Sequence, residues 1–254
     1  VISAASLPTP YYKDDMVTLY CGDAVELLPR LRADAIVTDP PYRETSLAWD
    51  VWPCGWPSVA AVAASSMWCF GSLRMFMDRA GEFAKWKMSQ DIVWEKHNGT
   101  NPFNDRFRRV HEHAAHFYQG AWAGVYKAPQ FTNDATARTV RRKARPPQWG
   151  DIGAASYEST DGGPRLARSV IYVRSCHGSA IHPTQKPEDI IAPLLNYSVP
   201  PGGTVLDCFA GSGTVLVVAR KAGRRAVGIE KNAECCAVAA DRLSQAKDAF
   251  SWLD

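Results

Sequence analysis

The 254-residue sequence has no apolar stretch approaching the length of a membrane span, and its first residues lack the basic-then-apolar order of a secretory signal. A cytoplasmic setting with no membrane partner is therefore expected. Cysteine is sparse: seven residues, an odd number, with no Cys-x-x-Cys spacing. That argues against a disulfide framework and a thiolate zinc site, and leaves reduced, buried thiols as the expectation for Cys21, Cys54, Cys69, Cys176, Cys208, Cys235 and Cys236. Charge excess is small too, and a net charge of +3 does not by itself announce a nucleic-acid partner. With no internal repeat and no low-complexity tract, the length suits one α/β domain carrying an insertion.

What is present alternates strand and helix. Val17 to Cys21 reads as a strand, Asp23 as the cap of a short helix from Ala24 to Leu31, and Ala35 to Thr38 as a strand entering Asp39-Pro40-Pro41-Tyr42. Two prolines cannot continue a ladder, so these residues project from the strand's carboxyl edge, where open α/β sheets place ligands. A helix near Val59 to Ala64, an apolar run from Met67 to Phe70, a helix from Leu73 to Phe83, and strands at Asp91 to Glu95 and Ala114 to Tyr118 follow. From Ala121 to Arg174 the rhythm fails in favour of Gly, Pro, Ser, Thr and basic residues. It resumes with helices at Ile190 to Tyr197, Thr214 to Ala222 and Ala233 to Ala246, and strands at Thr204 to Leu206 and Ala226 to Ile229. The expected divisions are 1–120, an insertion over 121–174, and 175–254.

Two segments carry chemistry. Asp207-Cys208-Phe209-Ala210-Gly211-Ser212-Gly213-Thr214 joins a strand to a helix, a turn in which glycines let a ligand approach the backbone. The dinucleotide fingerprint would need a third glycine where Leu216 stands, which weakens pyrophosphate binding. Glu230, ending the next strand, is placed to accept hydrogen bonds from both hydroxyls of a ribose. Such a Gly-x-Gly often makes only a tight turn, and Glu230 alone is also read as a solvated strand end; in consecutive β-α-β context the pair points to a nucleoside. In Asp-Pro-Pro-Tyr, a carboxylate and the Pro40 carbonyl can accept the two N–H bonds of an aromatic amine. They thereby localise its lone pair, while the Tyr42 ring offers a face to the base. A rigid surface turn is the bland alternative.

In this order the segments resemble the permuted β class of amino-methyltransferases. The matching stretches are Gly22-Asp23, Asp39 to Tyr42, His111-Glu112, His182-Pro183-Thr184-Gln185-Lys186-Pro187, Asp207 to Thr214 and Gly228-Ile229-Glu230. The resemblance implies a Rossmann-like class I methyltransferase sheet, circularly permuted, with a small inserted target-recognition region. It implies S-adenosylmethionine lined by Asp207, Phe209, Gly211, Ser212, Gly213 and Thr214, its ribose on Glu230 and its adenine near Asp23 and Ala24. Thr184, Gln185 and Lys186 would close over it. Asp39, Pro40, Pro41 and Tyr42 would be catalytic, acting on a base rotated out of double-stranded DNA; family members are often dimers, so a homodimer is possible. Asp39 stands where cytosine-N4 enzymes often have serine, which favours N6 of adenine, with N4 of cytosine second.

The insertion bears Arg138, Arg141, Arg142, Lys143 and Arg145, then Arg165, Arg168 and Arg174. A basic run is commonly a solvated face, but one interrupting a nucleic-acid enzyme is expected on phosphates. Trp122, Tyr126, Phe131 and Trp149 are read either as stacking groups or as a small core. His111, His113 and His116 alternate along a strand without a cysteine pair, which favours structural or DNA-adjacent histidines over a metal site. Cys54 is read as packing. Two other functions compete, a catalytically silent regulatory subunit and a nicotinamide oxidoreductase; the first would have been favoured by a missing motif, and the second is opposed by Leu216.

Overall fold

The computed structural model describes residues 6–100, 104–142, 155–176 and 185–248. In chain order the first half forms β1 (Tyr12–Lys13), β2 (Val17–Cys21), α1 (Ala24–Leu27), β3 (Ala35–Thr38), α2 (Trp56–Ala63), β4 (Ser66–Gly71), α3 (Leu73–Asp78), β5 (Lys87–Thr100) and β6 (Arg109–Tyr118). Four short strands follow, β7 (Phe131–Thr132), β8 (Arg138–Arg142), β9 (Ala155–Ser159) and β10 (Arg165–Leu166). The chain continues through β11 (Val170–Tyr172), α4 (Glu188–Ser198), β12 (Thr204–Asp207), α5 (Thr214–Lys221), β13 (Arg225–Glu230) and α6 (Ala233–Asp248). Contacts divide it into two units, 1–128 with 169–254, and Pro129–Arg168.

The first unit is built on a nine-stranded sheet ordered β1-β2-β13-β12-β3-β4-β6-β5-β11. From β2 to β4 all neighbours are parallel, while β6 runs antiparallel to both β4 and β5. Period-two alternation sends successive residues of the central strands to opposite faces, so the middle of each strand is apolar on both sides. On β4, Trp68 and Phe70 enter the core beneath α4 and α5, whereas Met67 and Cys69 enter the core around α2. Val205 and Leu206 of β12 divide in the same way. A strand covered on both faces takes a polar residue only where a partner satisfies it, as Thr38 and Asp207 satisfy each other, and each large apolar side chain buried contributes roughly 1.5–3 kcal/mol.

In the second unit β7 pairs with β10 and β8 with β9, both antiparallel. Asp134 accepts from Arg165 at 2.7 Å, and Asp161 accepts from the Ala137 amide at 2.6 Å. Apolar burial is slight here, since Phe131, Tyr157 and Leu166 are all exposed.

Three expectations need correction. The helix read from Leu73 to Phe83 stops at Asp78 and gives way to a separate 3-10 turn over Ala80–Phe83. The break falls at Arg79, whose φ of −110° leaves the α region just ahead of Gly81. The segment 121–174, read as irregular, contains β7 to β11, strands too short to show a period. Cys54 is exposed rather than packed, because it precedes a left-handed Gly55 that turns the chain into α2. Phe131 and Tyr126 form no buried core, and Trp149 lies outside the described residues. Among the described residues no helix is long and apolar enough to cross a membrane.

Candidate active site

Parallel strands bring their carboxyl ends to one edge, so Asp39 after β3, Cys208 after β12, Glu230 ending β13 and Asp23 after β2 meet by topology alone. Because β6 is antiparallel, its beginning reaches this same edge, with His113 opposite Gly71. Glu112 and the later residues of β5 thereby join the site. A cavity of about 2370 Å³ opens there, lined by residues from all these strands.

On its floor lies a buried ionic cluster. Lys186 donates to Asp39 Oδ2 at 2.5 Å and stands 3.3 Å from Glu112 Oε2, while Lys96 pairs with Glu112 Oε1. The Tyr42 hydroxyl donates to Asp39 Oδ1. Two carboxylates face two ammoniums, a balance that a water-poor site requires. The Asp39 side chain keeps 25 % of its surface open to the cavity, yet burial raises its pKa, with Lys186 opposing. Burial also works to raise Glu112, but Lys186 and Lys96 outweigh it and hold the carboxyl at about 2. For Lys186, burial disfavours the charge and the two carboxylates more than restore it. Phe70, Tyr42 and Trp94 surround the ammonium at 5.3, 5.8 and 6.0 Å from their ring centres. A carboxylate has about four acceptor positions, so Asp39 retains capacity for an amine N–H after Tyr42 and Lys186 are served.

The glycine turn forms the adjoining wall. Asp207 accepts from Thr38 Oγ1 at 2.8 Å and from the Phe209 amide at 3.1 Å, tying β12 to β3. Burial pushes Asp207 up to about 7, against both hydrogen bonds. Glu230 accepts from the Gly211 and Asn232 amides at 2.8 and 2.7 Å, which fixes both oxygens while leaving lone pairs for hydroxyls. Gly211 has φ +51°, and a Cβ on it would meet open space. A nucleoside fits such a cradle, and Asp207 suits a cationic tail. Asp23 caps α1 through the Val25 amide at 2.8 Å and takes Lys231 at 3.0 Å.

Asp39, Pro40, Pro41 and Tyr42 line the cavity, as do Asp23, Ala24, Gln185, Lys186, Asp207, Phe209, Gly211, Ser212, Thr214 and Glu230. Gly213 does not: a Cβ there would lie 3.0 Å from that of Ala239, so this glycine serves the packing of α5 against α6. Thr184, Lys143 and Arg145 fall outside the described residues, as does the side chain of Arg142. Arg138 and Arg141 are exposed on β8, three residues apart and therefore on opposite faces of the strand.

Lys96, Arg242 and Asp50 have no sequence signal. Arg242 of α6 donates to Ser212 O at 2.6 Å and to Thr214 Oγ1 at 3.2 Å, clamping the glycine turn. Asp50 accepts from the amides of Arg43, Glu44 and Thr45 at 2.8, 2.9 and 2.7 Å. It thereby holds Arg43, at φ +60°, directly after Tyr42. His116 is structural, set between Ser66 Oγ at 3.0 Å and Ser89 Oγ at 2.6 Å, and burial lowers its pKa to about 4. Among the described residues no group of three acidic, histidine or cysteine side chains could hold a metal ion.

A family model described as DNA methylase matches residues 33–241. The type II methyltransferase M.XycI of Xanthomonas campestris pv. cyanopsidis is 36 % identical over 159 residues, covering 62 % of this chain and 45 % of that protein. The chain thus spans less than half the length of this relative. The type II methyltransferase M.ScaI of Streptomyces caespitosus is 25 % identical, covering 94 % of this chain and 84 % of its own. In fold, the chain resembles the M1.HpyAVI-SAM complex, with a TM-score of 0.63, 22 % identity, and coverage of 90 % of this chain and 100 % of that one. It also resembles the PvuII cytosine-N4-specific DNA methyltransferase, with a TM-score of 0.61, 15 % identity and coverage of 95 % and 93 %.

Proposed function

This chain belongs to the DNA methylase family, whose cofactor is S-adenosylmethionine, and from that premise we propose that it methylates N6 of adenine in duplex DNA. The observation that carries the reading is the Asp39 carboxylate, held by Tyr42 and Lys186 in the cavity it shares with the glycine turn. Asp207, Gly211 and Glu230 would hold the cofactor. When bound, it supplies a methyl group already activated on a sulfonium sulfur, so no covalent enzyme intermediate is required. Asp39 and the Pro40 carbonyl accept the two amine N–H bonds, which turns the nitrogen lone pair toward the methyl and offsets the positive charge that develops there. Asp39 then takes the proton the nitrogen releases, its raised pKa favouring that transfer. The target base leaves the duplex to reach Asp39, at a cost of roughly a few kcal/mol.

The catalytic turn precedes the glycine turn in the chain, the order of a permuted sheet, and Pro129–Arg168 is assigned target reading within this proposal. The type II names of the two relatives suit a role beside a restriction nuclease in a cytoplasmic setting. Cytosine N4 is the alternative acceptor, since the same two hydrogen-bond acceptors fit either amine. Incubation with labelled cofactor and duplex DNA, then nucleoside digestion, tests the assignment. N6-methyl-2′-deoxyadenosine is expected, N4-methyl-2′-deoxycytidine would reassign the base, and no labelled nucleoside would overturn the reading.

A further inference from the structure

One side of the cavity mouth is used by neither the cofactor turn nor the amine. It belongs to the hairpin of β5 and β6, whose far end reaches the same edge as Asp39. There Phe107 is fully exposed (101 %) and lines the same cavity as Asp39. Arg106, Arg108 and Arg109 flank it and are themselves exposed. Local contacts set this end in place. Arg109 pairs at 2.9 Å with Glu44, two residues after the catalytic turn, and Arg108 donates twice to the Gly99 carbonyl at 3.3 Å. A Cβ on Gly99 would lie 2.6 Å from the Arg109 carbonyl oxygen, so glycine lets the strands close up where the ladder loses register between Glu95 and Thr100. Irregularities of this kind re-aim side chains beside active sites.

A single exposed phenylalanine is ordinary, and position decides its meaning here. It lines the cavity that holds Asp39, with exposed arginines next to it in the chain on both sides. Building on the proposed transfer to a base in duplex DNA, we infer that Phe107 is a wedge that enters the stack where the target base departs, with Arg106 and Arg108 on neighbouring phosphates. An aromatic face restores the stacking the duplex loses, and the arginines match the charge of the backbone on either side. Asp105 already holds Arg106 through two bonds of 2.9 Å, both partners being exposed, so a phosphate exchanges with a solvated carboxylate. Arg109, tied to Glu44, links the wedge to the loop that follows Tyr42.

The test uses the full chain and its own target sequence, found by modified-base sequencing of DNA it has methylated. Single-turnover methylation is measured for wild type, Phe107→Ala and Phe107→Trp on a paired duplex and on one with the target opposite an abasic site. Phe107→Ala is expected to lose about tenfold on the paired duplex, the order that stacking contributes per base. It should recover to near wild type on the abasic duplex, with Phe107→Trp active on both. Equal rates for wild type and Phe107→Ala, or an equal loss on both duplexes, would overturn the wedge alone. A loss accompanied by a fall in sedimentation mass would also overturn it, assigning Phe107 to a contact with a second copy. No modified base in that sequencing would instead overturn the transfer on which the wedge rests.

Discussion

Asp39, half-buried, and Asp207, fully buried, are carboxylates on one sheet edge, and their neighbours separate their roles. Asp39 has Lys186 against it, whereas Asp207 accepts, among the described residues, from a hydroxyl and an amide, and burial carries it to about 7. Since the folded pKa is raised, the contribution of Asp207 to stability is full below its unfolded value near 4 and is lost as pH climbs through 7. A ligand bearing a sulfonium and an ammonium favours the ionised form, so the sign reverses for binding. Cofactor affinity is expected to increase from pH 6 to pH 8 and to flatten in Asp207→Asn, as read by calorimetric titration. Asp39→Ala is expected to leave cofactor affinity within a few fold and to reduce methyl transfer by a factor on the order of 100 or more, the usual consequence of losing a preorganised charge. Turnover above a few per cent of wild type would remove Asp39 from the chemistry.

At the level of elements, the glycine turn separates two uses of one residue type. Both glycines are left-handed, but Gly211 faces open space and Gly213 faces Ala239. Gly211→Val is therefore expected to weaken cofactor binding, with thermal stability lowered by about 1–2 kcal/mol from the backbone conformation alone. Gly213→Val adds a collision between α5 and α6 and is expected to cost stability in the range of about 1–3 kcal/mol beyond that strain. Thermal unfolding and titration of both variants check the contrast, and equal loss of stability would collapse it. The sequence marked both glycines as cofactor residues because a Gly-x-Gly turn cannot reveal which glycine meets a neighbouring helix. The helix after Leu73 was likewise overextended, since Gly81 is the one local sign of its end and a lone glycine does not reveal that the chain leaves the α region at Arg79.

Across the whole molecule, charge placement outweighs net charge. The described part of the basic run, Arg138–Arg142, is a strand in the second unit, and strand geometry sends Arg138 and Arg141 to opposite faces. These two arginines therefore do not share one phosphate-binding face. Each arginine can still meet a phosphate on its own side, and replacing both with Ala is expected to flatten the salt dependence of DNA binding by up to about one unit per lost contact. Affinity across a salt series checks this, and an unchanged slope would make β8 a solvated strand. Loss in only one of the two single variants would identify the face that meets DNA.

Asp-Pro-Pro-Tyr, the glycine turn and the apolar runs before them were legible in the sequence because each is local. Two prolines end a strand, two glycines permit a tight turn, and a strand buried on both faces is written as uninterrupted apolar residues. These features pointed to the fold class and marked Asp39, Asp207 and Glu230 as candidates. The ionic cluster was not legible in this way. Glu112 was visible only as part of a resembling stretch, and Lys96 not at all. Their meeting with Lys186 depends on β6 running antiparallel between β4 and β5, so that its beginning lies beside the ends of parallel strands. Arg242 and Asp50 likewise act across 28 residues or through several amides of one loop. Strand order and direction decide such contacts, because charges distant in sequence become neighbours only when the sheet places them at one edge.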